Sequence, residues 1–268
     1  MKKILFLFWV CGFSYAQDAK VVKRYVNDSI HFDMTSSCYA PLLITIASRK
    51  VADSLSGFTY KEKFLLPSFD TIPSIISVPE TKFTDSTKIS LGDYFKFLSY
   101  YGDPDNSKHD SNYLYTLPFK KGKKYEITQS FFGKFSHNHK ASFHAIDFKL
   151  KIGDPVYAAR EGIVIKTIDK YTKHGGKSFR DKANKILIMH DDGTIASYVH
   201  LDYKGVLVKE GERAERGQKI GISGFTGYTS GPHLHFVVRE FGDVSVPIYF
   251  EGYEGLVLKQ GKRYKRKK

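Results

Sequence analysis

Cysteine is nearly absent from this 268-residue chain, which has two. Cys11 lies in an N-terminal segment expected to be removed, so the mature protein keeps Cys38 alone. A lone cysteine excludes an intramolecular disulfide framework and any four-cysteine zinc site. Cys38 reads as a small buried apolar residue rather than a catalytic thiol. Long hydrophobic runs are missing too. Ile4–Phe13 is the longest, and about 20 apolar residues are needed to span a bilayer. No stable membrane anchor is expected. Negative charge is scarce: 28 Asp and Glu stand against 42 Lys and Arg, a net charge of +14. That balance suits anionic surroundings, such as a cell-wall polymer or a membrane face.

The chain opens Met1-Lys2-Lys3, then the apolar run, then Ser14-Tyr15-Ala16 before Gln17. A basic start, a short apolar core and small residues at −3 and −1 describe a secretory signal peptide, residues 1–16. Phe8-Trp9-Val10-Cys11 lacks the small residue expected before a lipidated cysteine, so cleavage after Ala16 is expected instead of a lipid anchor. Export, to the periplasm or the cell exterior, makes nucleic acid a poor partner.

Roughly 250 residues remain, enough for one or two domains. Phe and Tyr are plentiful, and Val/Ile/Thr-rich segments alternate with Gly turns, so the expected class is mainly β. Strands are expected at Ser29–Met34, Leu42–Ile46 and Leu91–Tyr101, with short extended pieces from Phe64 to Val78. Residues 17–118 read as a β-rich N-terminal region of unknown role, residues 119–250 as the domain that carries chemistry, and 251–268 as a basic, solvated tail. His31 and His109 are isolated, and no ligand spacing involves them.

Thr229-Ser230-Gly231-Pro232 is a turn that launches a strand, His233-Leu234-His235-Phe236-Val237-Val238. Alternate side chains of a strand share a face, so the two imidazoles project together, about 6.5–7 Å apart. Neutral imidazole is the commonest side-chain metal ligand, although two ligands do not make a site. Ala145-Ile146-Asp147-Phe148 puts a carboxylate inside an apolar strand, where it needs a cationic partner or a metal. Ala196-Ser197-Tyr198-Val199-His200-Leu201 carries a further strand-borne histidine. Ile163–Ile165 and Ile186–Met189 read as strands, with Asp191-Asp192-Gly193-Thr194 as a hairpin turn. His174 and His190 read as structural or solvent-exposed, and Lys166–Lys182 as a basic loop bordering a groove.

Taken with Phe148–Ala159, Arg160–Val164, His190–Thr194, Tyr198–Leu201, Val208–Gly211, Gly217–Gly221 and Gly227–Phe236, in that order, the sequence resembles the zinc metallopeptidases of the lysostaphin type. Many of these cut peptidoglycan peptides. The match runs over roughly residues 119–240 and leaves the N-terminal half uncovered. The resemblance implies an antiparallel β-fold with a groove floored by its sheet, one Zn²⁺, and peptidoglycan or its peptides as substrate. It implies that Asp147 and His235 are metal ligands, and that His200 and His233 are catalytic groups beside the metal. A non-catalytic relative that binds the wall or regulates a partner hydrolase is the alternative.

The sequence departs from the family at the first ligand. The usual histidine stands four residues before the aspartate, and here that residue is Phe143. His144 is three before, the wrong parity for a regular strand, and a bulge would be needed to use it. His137 and His139 lie ten and eight before, in Gly133-Lys134-Phe135-Ser136-His137-Asn138-His139. His137 is favoured because the following loop residues give ample reach, with His139 and His144 left open.

Overall fold

The computed structural model describes residues 18–49, 55–83, 85, 86 and 89–267, with the backbone of Leu7 and Phe8. Apart from those two, the expected signal segment lies outside the described residues. The chain divides into two compact units, residues 1–103 and 104–268. No helix among the described residues is long and apolar enough to cross a membrane.

The first unit is built of antiparallel strands. In Ser29–Ser36 burial alternates along the strand, with Ile30, Phe32 and Met34 turned to the core, the period-2 pattern of a half-buried sheet. This strand pairs with Ala19–Val26 on one side and Thr71–Pro79 on the other. A second sheet places Leu42–Ser48 between Lys63–Leu66 and Phe95–Tyr101. Leu91–Asp93, expected as the start of a strand, is instead a 3₁₀ turn, and pairing begins at Phe95.

Pro73 cannot donate to the ladder, and the register slips beside it between Phe32 and Met34. Asp33 repairs the break by accepting the Ser74 N–H at 2.7 Å, and Arg24 Nε donates to the same carboxylate at 2.7 Å. His31 Nδ1 meets Ser74 Oγ at 2.9 Å. His31 is therefore part of the bulge, hydrogen-bonded and far in sequence from any other imidazole.

The second unit is organised by a nine-stranded antiparallel sheet. Six of its members run in the order Gly162–Ile168, Lys185–Met189, Ile195–Val199, Leu234–Glu240, Ile146–Phe148 and Lys124–Gln129, with Arg263–Lys265 at the edge beyond the last. A three-stranded sheet of Pro155–Tyr157, Lys219–Ser223 and Leu201–Val206 accompanies it. Leu234, Phe236 and Val238 point into the core with Ile146, Phe148 and Tyr198. The Tyr198 hydroxyl stays satisfied there by accepting the Ala159 N–H at 2.8 Å. The hairpin expected at Asp191–Thr194 is present, with Gly193 at φ +76°. A Cβ on Gly193 would also come within 2.4 Å of the Asn106 carbonyl oxygen, so the turn needs glycine for space as well as angle.

Both ends of this unit extend beyond the limits expected from sequence. Tyr115 and Leu117 are buried in its core, so the segment before Phe119 belongs to it. At the other end the basic residues do not form a solvated tail. Arg263–Lys265 pairs with Lys124–Glu126, and Leu258 and Tyr264 are buried. The cations of this segment line the surface of a strand whose apolar residues hold it down, a pattern that charge counting cannot distinguish from disorder.

Candidate metal centre and groove

Register places the site. Asp147 lies directly opposite His235, and His235 directly opposite Val199. Directly paired residues share a face, so Asp147 and His235 project from the side of the sheet opposite Phe236 and Tyr198. The loop from Ser130 to Ala145 folds back over that side. It carries His137, which is fully buried, to the same point.

His235 Nδ1 stands 2.8 Å from Asp147 Oδ1, and His137 Nε2 is 3.3 Å from both of those atoms. One ligand atom from each residue falls within 4.8 Å of the others. His233 Nε2 is 3.7 Å from Asp147 Oδ1, and the His200 ring lies 4.7 Å from that of His233, centroid to centroid. The structure thus brings together all five residues singled out in the sequence: His137, Asp147, His200, His233 and His235. His139 lines the groove outside the three-residue cluster. His144 is turned away. The strand begins only at Ile146, and His144 Nδ1 binds the Ser245 carbonyl at 2.8 Å.

Tautomers follow from the partners. A carbonyl oxygen only accepts, so a ring nitrogen bound to one carries the proton. His137 Nδ1 donates to the Ser130 carbonyl at 2.8 Å, His200 Nδ1 to that of Thr226 at 2.7 Å, and His233 Nδ1 to that of Gly231 at 2.9 Å. In each neutral ring, Nε2 then holds a lone pair. For His137 that lone pair is aimed at a carboxylate oxygen and another imidazole nitrogen. Two imidazole nitrogens and a carboxylate oxygen converge on one point, with no lysine or arginine paired to Asp147 among the described residues. Once the proton that His235 Nδ1 shares with Asp147 is released, they make a donor set that fits a divalent cation. Two imidazoles and one carboxylate suit zinc and leave its fourth position open.

The electrostatics agree. Burial pushes the Asp147 carboxyl up, but the imidazoles around it outweigh burial and hold the group well below its usual value. Burial lowers His235, against the pull of Asp147. His200 is pushed down to about 3, first by burial and then by His233 and His235.

His200 breaks strand alternation. It sits at φ +68°, in the left-handed region, between Ile195–Val199 and Leu201–Val206. Simple alternation from Tyr198 would send it into the core. The turn at this one residue instead sends its ring into the groove, a local strain of the kind that gathers at functional sites.

Sequence reasoning missed Gln129. Its Nε2 donates to Asp147 Oδ2 at 3.1 Å and to Ser136 Oγ at 2.7 Å, while Oε1 accepts the Phe135 N–H at 3.1 Å. It ties the aspartate to the loop that carries His137. Gly133 makes room for it: a Cβ there would stand 2.3 Å from Gln129 Cγ. The glycine three residues on from Ser130 was the available signal, but only the fold shows what fills its space.

The cluster lies in a groove of about 810 Å³, bordered by Phe135, Arg180, Tyr228 and Arg239 among others. His190 is buried rather than exposed, with Nδ1 on the Glu161 carbonyl at 2.7 Å, and burial takes it down to about 4. His109 Nε2 meets the Pro247 carbonyl at 3.0 Å. Neither reaches the cluster.

Comparison with known proteins bears on this geometry. The profile of peptidase family M23 matches residues 141–247. Lipoprotein NlpD of Yersinia enterocolitica is 35% identical over 98 residues, which are 37% of this chain and 90% of that protein. The chain belongs to peptidase family M23. Among other relatives, the peptidoglycan DD-endopeptidase ShyA of Vibrio cholerae is 36% identical over 96 residues, 36% of this chain and 20% of ShyA. Lysostaphin of Staphylococcus simulans is 36% identical over 94 residues, 35% of this chain and 17% of lysostaphin. The chain matches between a fifth and just over a third of the length of the first curated relatives. Asp147, His200, His233 and His235 fall within the M23 match, whereas His137 precedes it.

Proposed function

We propose that this chain is an exported, zinc-dependent endopeptidase that hydrolyses peptide bonds in peptidoglycan cross-links or stem peptides. The observation that carries the reading is the convergence of His137 Nε2, Asp147 Oδ1 and His235 Nδ1 in a groove, with two more imidazoles beside them. These three residues would hold the zinc. When bound, Zn²⁺ supplies Lewis acidity for a peptide carbonyl and brings the acidity of water toward neutral pH.

The chain's own groups do the rest. Thr226 and Gly231 fix the Nδ1 protons of His200 and His233, so each ring presents Nε2 to the groove. One accepts the proton of the attacking water. The other stabilises the developing oxyanion or returns a proton to the leaving amine. Gln129 holds Asp147 in place from the side away from its Oδ1, the outer-shell role that sets ligand orientation. The basic N-terminus with its short apolar run supports export, and the positive charge suits an anionic wall.

Zinc content measured on protein purified without chelator, together with fragment release from isolated peptidoglycan, tests this. About one zinc per chain and metal-dependent release are expected. Absence of zinc that added metal cannot restore would overturn it. Zinc-loaded protein that binds the wall without releasing fragments would mean a non-catalytic wall-binding relative.

A further inference from the structure

The charges around the groove are one-sided. Among the described residues that line it, Lys149, Lys177, Arg180 and Arg239 are cationic, and Asp147 is the one carboxylate. Asp147 is already committed to the histidine cluster. Two of the four cations have partners for their charged groups. Lys149 reaches Glu126 at 3.4 Å, and Arg239 donates to the Ala141 carbonyl at 2.7 Å and to Ser197 Oγ at 3.0 Å. Lys177 sits in the 3₁₀ turn Lys177–Phe179, with its carbonyl accepting the Arg180 N–H at 3.2 Å. Arg180 follows three residues later, and in a 3₁₀ turn residues three apart eclipse. The two cations are therefore carried on one side of the turn.

This turn is fastened to the groove. His174–Gly175 pairs with Gly227–Tyr228. The Phe179 ring fills the space over Gly175, where a Cβ would come within 2.6 Å of it. The Arg180 guanidinium lies 5.7 Å from the Tyr228 ring centre, and Tyr228 is itself stacked with Phe135, 6.0 Å away at 15°. The ring orients the guanidinium, yet neither carboxylate nor carbonyl among the described residues takes its N–H groups.

We infer that Arg180 is a specificity-determining residue that receives a free carboxylate of the peptide lying in this groove. The inference rests on the peptidase reading above and narrows its substrate class to acidic peptides. A guanidinium matches a carboxylate with two parallel hydrogen bonds, which lysine cannot reproduce. Arg180 is exposed, so screening limits the gain. A discrimination of about two- to fivefold is the expected scale for one exposed pair.

The test uses two fluorescent synthetic stem peptides, identical except that the carboxylates of one are amidated. With the zinc-loaded full chain, the acid peptide should show a KM about two- to fivefold lower than the amide, with similar kcat. Arg180→Gln should remove that difference, and Arg180→Lys should restore part of it. Equal KM for the two peptides, or a preference that survives in Arg180→Gln, overturns the inference while leaving the peptidase reading standing. If neither peptide is cut, cleavage of stem peptides fails while cleavage of cross-links still stands on the fragment-release test, and anisotropy decides the inference. Tighter binding of the acid peptide, lost in Arg180→Gln, upholds the carboxylate subsite, and equal binding of the two rejects it.

Discussion

Two aspartates in the second unit, Asp147 and Asp192, are both withdrawn from water, and they are neutralised in opposite ways. Asp192 meets the Arg160 guanidinium at 2.7 Å and accepts the Thr194 hydroxyl at 2.6 Å and its N–H at 3.0 Å. Arg160 is in turn packed 4.0 Å from the Tyr113 ring centre. The counter-charge is permanent and covalently part of the chain. Asp147 has imidazoles and an amide around it instead, and the lone pair of His137 faces the same point as its own. A carboxylate meant to brace a fold is given an arginine. In the proposed metal site the carboxylate is given further donors, and its balance of charge would come from outside.

The contrast breaks most decisively at the ligands. Asp147→Ala and His235→Ala should bring zinc near zero and abolish fragment release, because fewer than three protein donors remain. His137→Ala should do the same, while His139→Ala and His144→Ala largely spare the metal. Elemental analysis on all five proteins checks this. Zinc kept by His137→Ala but lost by His144→Ala would move the first ligand.

Next in size is the pair beside the proposed metal site. His200→Ala and His233→Ala should keep zinc yet lose about 10²–10⁴ in rate, the usual worth of a proton-transfer group. Wild-type rates in both would show that neither imidazole works in turnover.

Asp192 sharpens the other half. Asp192→Ala strands a buried guanidinium and should cost about 3 kcal/mol of stability in urea unfolding, with zinc per folded molecule unchanged. Burial raises the Asp192 carboxyl, but the Thr194 bonds and Arg160 outweigh it and hold it low. Its stabilisation is therefore present above the ordinary carboxylate range, about 4, and is lost as pH falls through the lower native value. Asp192→Asn should lack that component of acid unfolding. Equal acid sensitivity in the two proteins would contradict this.

The smallest effect is expected at Gln129. Gln129→Ala should weaken zinc binding about 10–100-fold, as outer-shell losses do. Gly133→Ala should shift affinity the same way by displacing the Gln129 side chain. Competition with a chelator of known affinity measures both, and unchanged zinc affinity would leave Gln129 a purely structural role.

Much of this site could be read from the chain because strand parity is local. His233, His235 and Asp147 each sit in an alternating apolar context, and their shared face follows from a period of two. Gln129 was invisible because its place depends on a register irregularity between Ile127 and Gln129, opposite Asp147. His200 sat in what read as a plain strand, and nothing nearby announced the left-handed turn that reorients it. The parity argument against His144 rested on a strand that in fact starts two residues later, so the residue lies in a turn and answers to Ser245. At the C-terminus, lysine and arginine outnumbered the few apolar anchors, and Tyr264 and Leu258 still decided the outcome.

The cluster also joins distant parts of the chain: His137 and His235 are 98 positions apart, and Asp147 and His235 are 88. Ligand atoms so far apart in sequence meet only after the Ile146–Phe148 and Leu234–Glu240 strands have found their register and the covering loop has closed. Such non-local closures are slow to form. A cation at this point would therefore arrive late in folding, once the central pairing is correct, and would reject misregistered states by failing to bind them. Its stabilisation would fall on the native side of the folding barrier, slowing unfolding while leaving the folding rate nearly unchanged. Resistance to unfolding would then be a rate set by the metal.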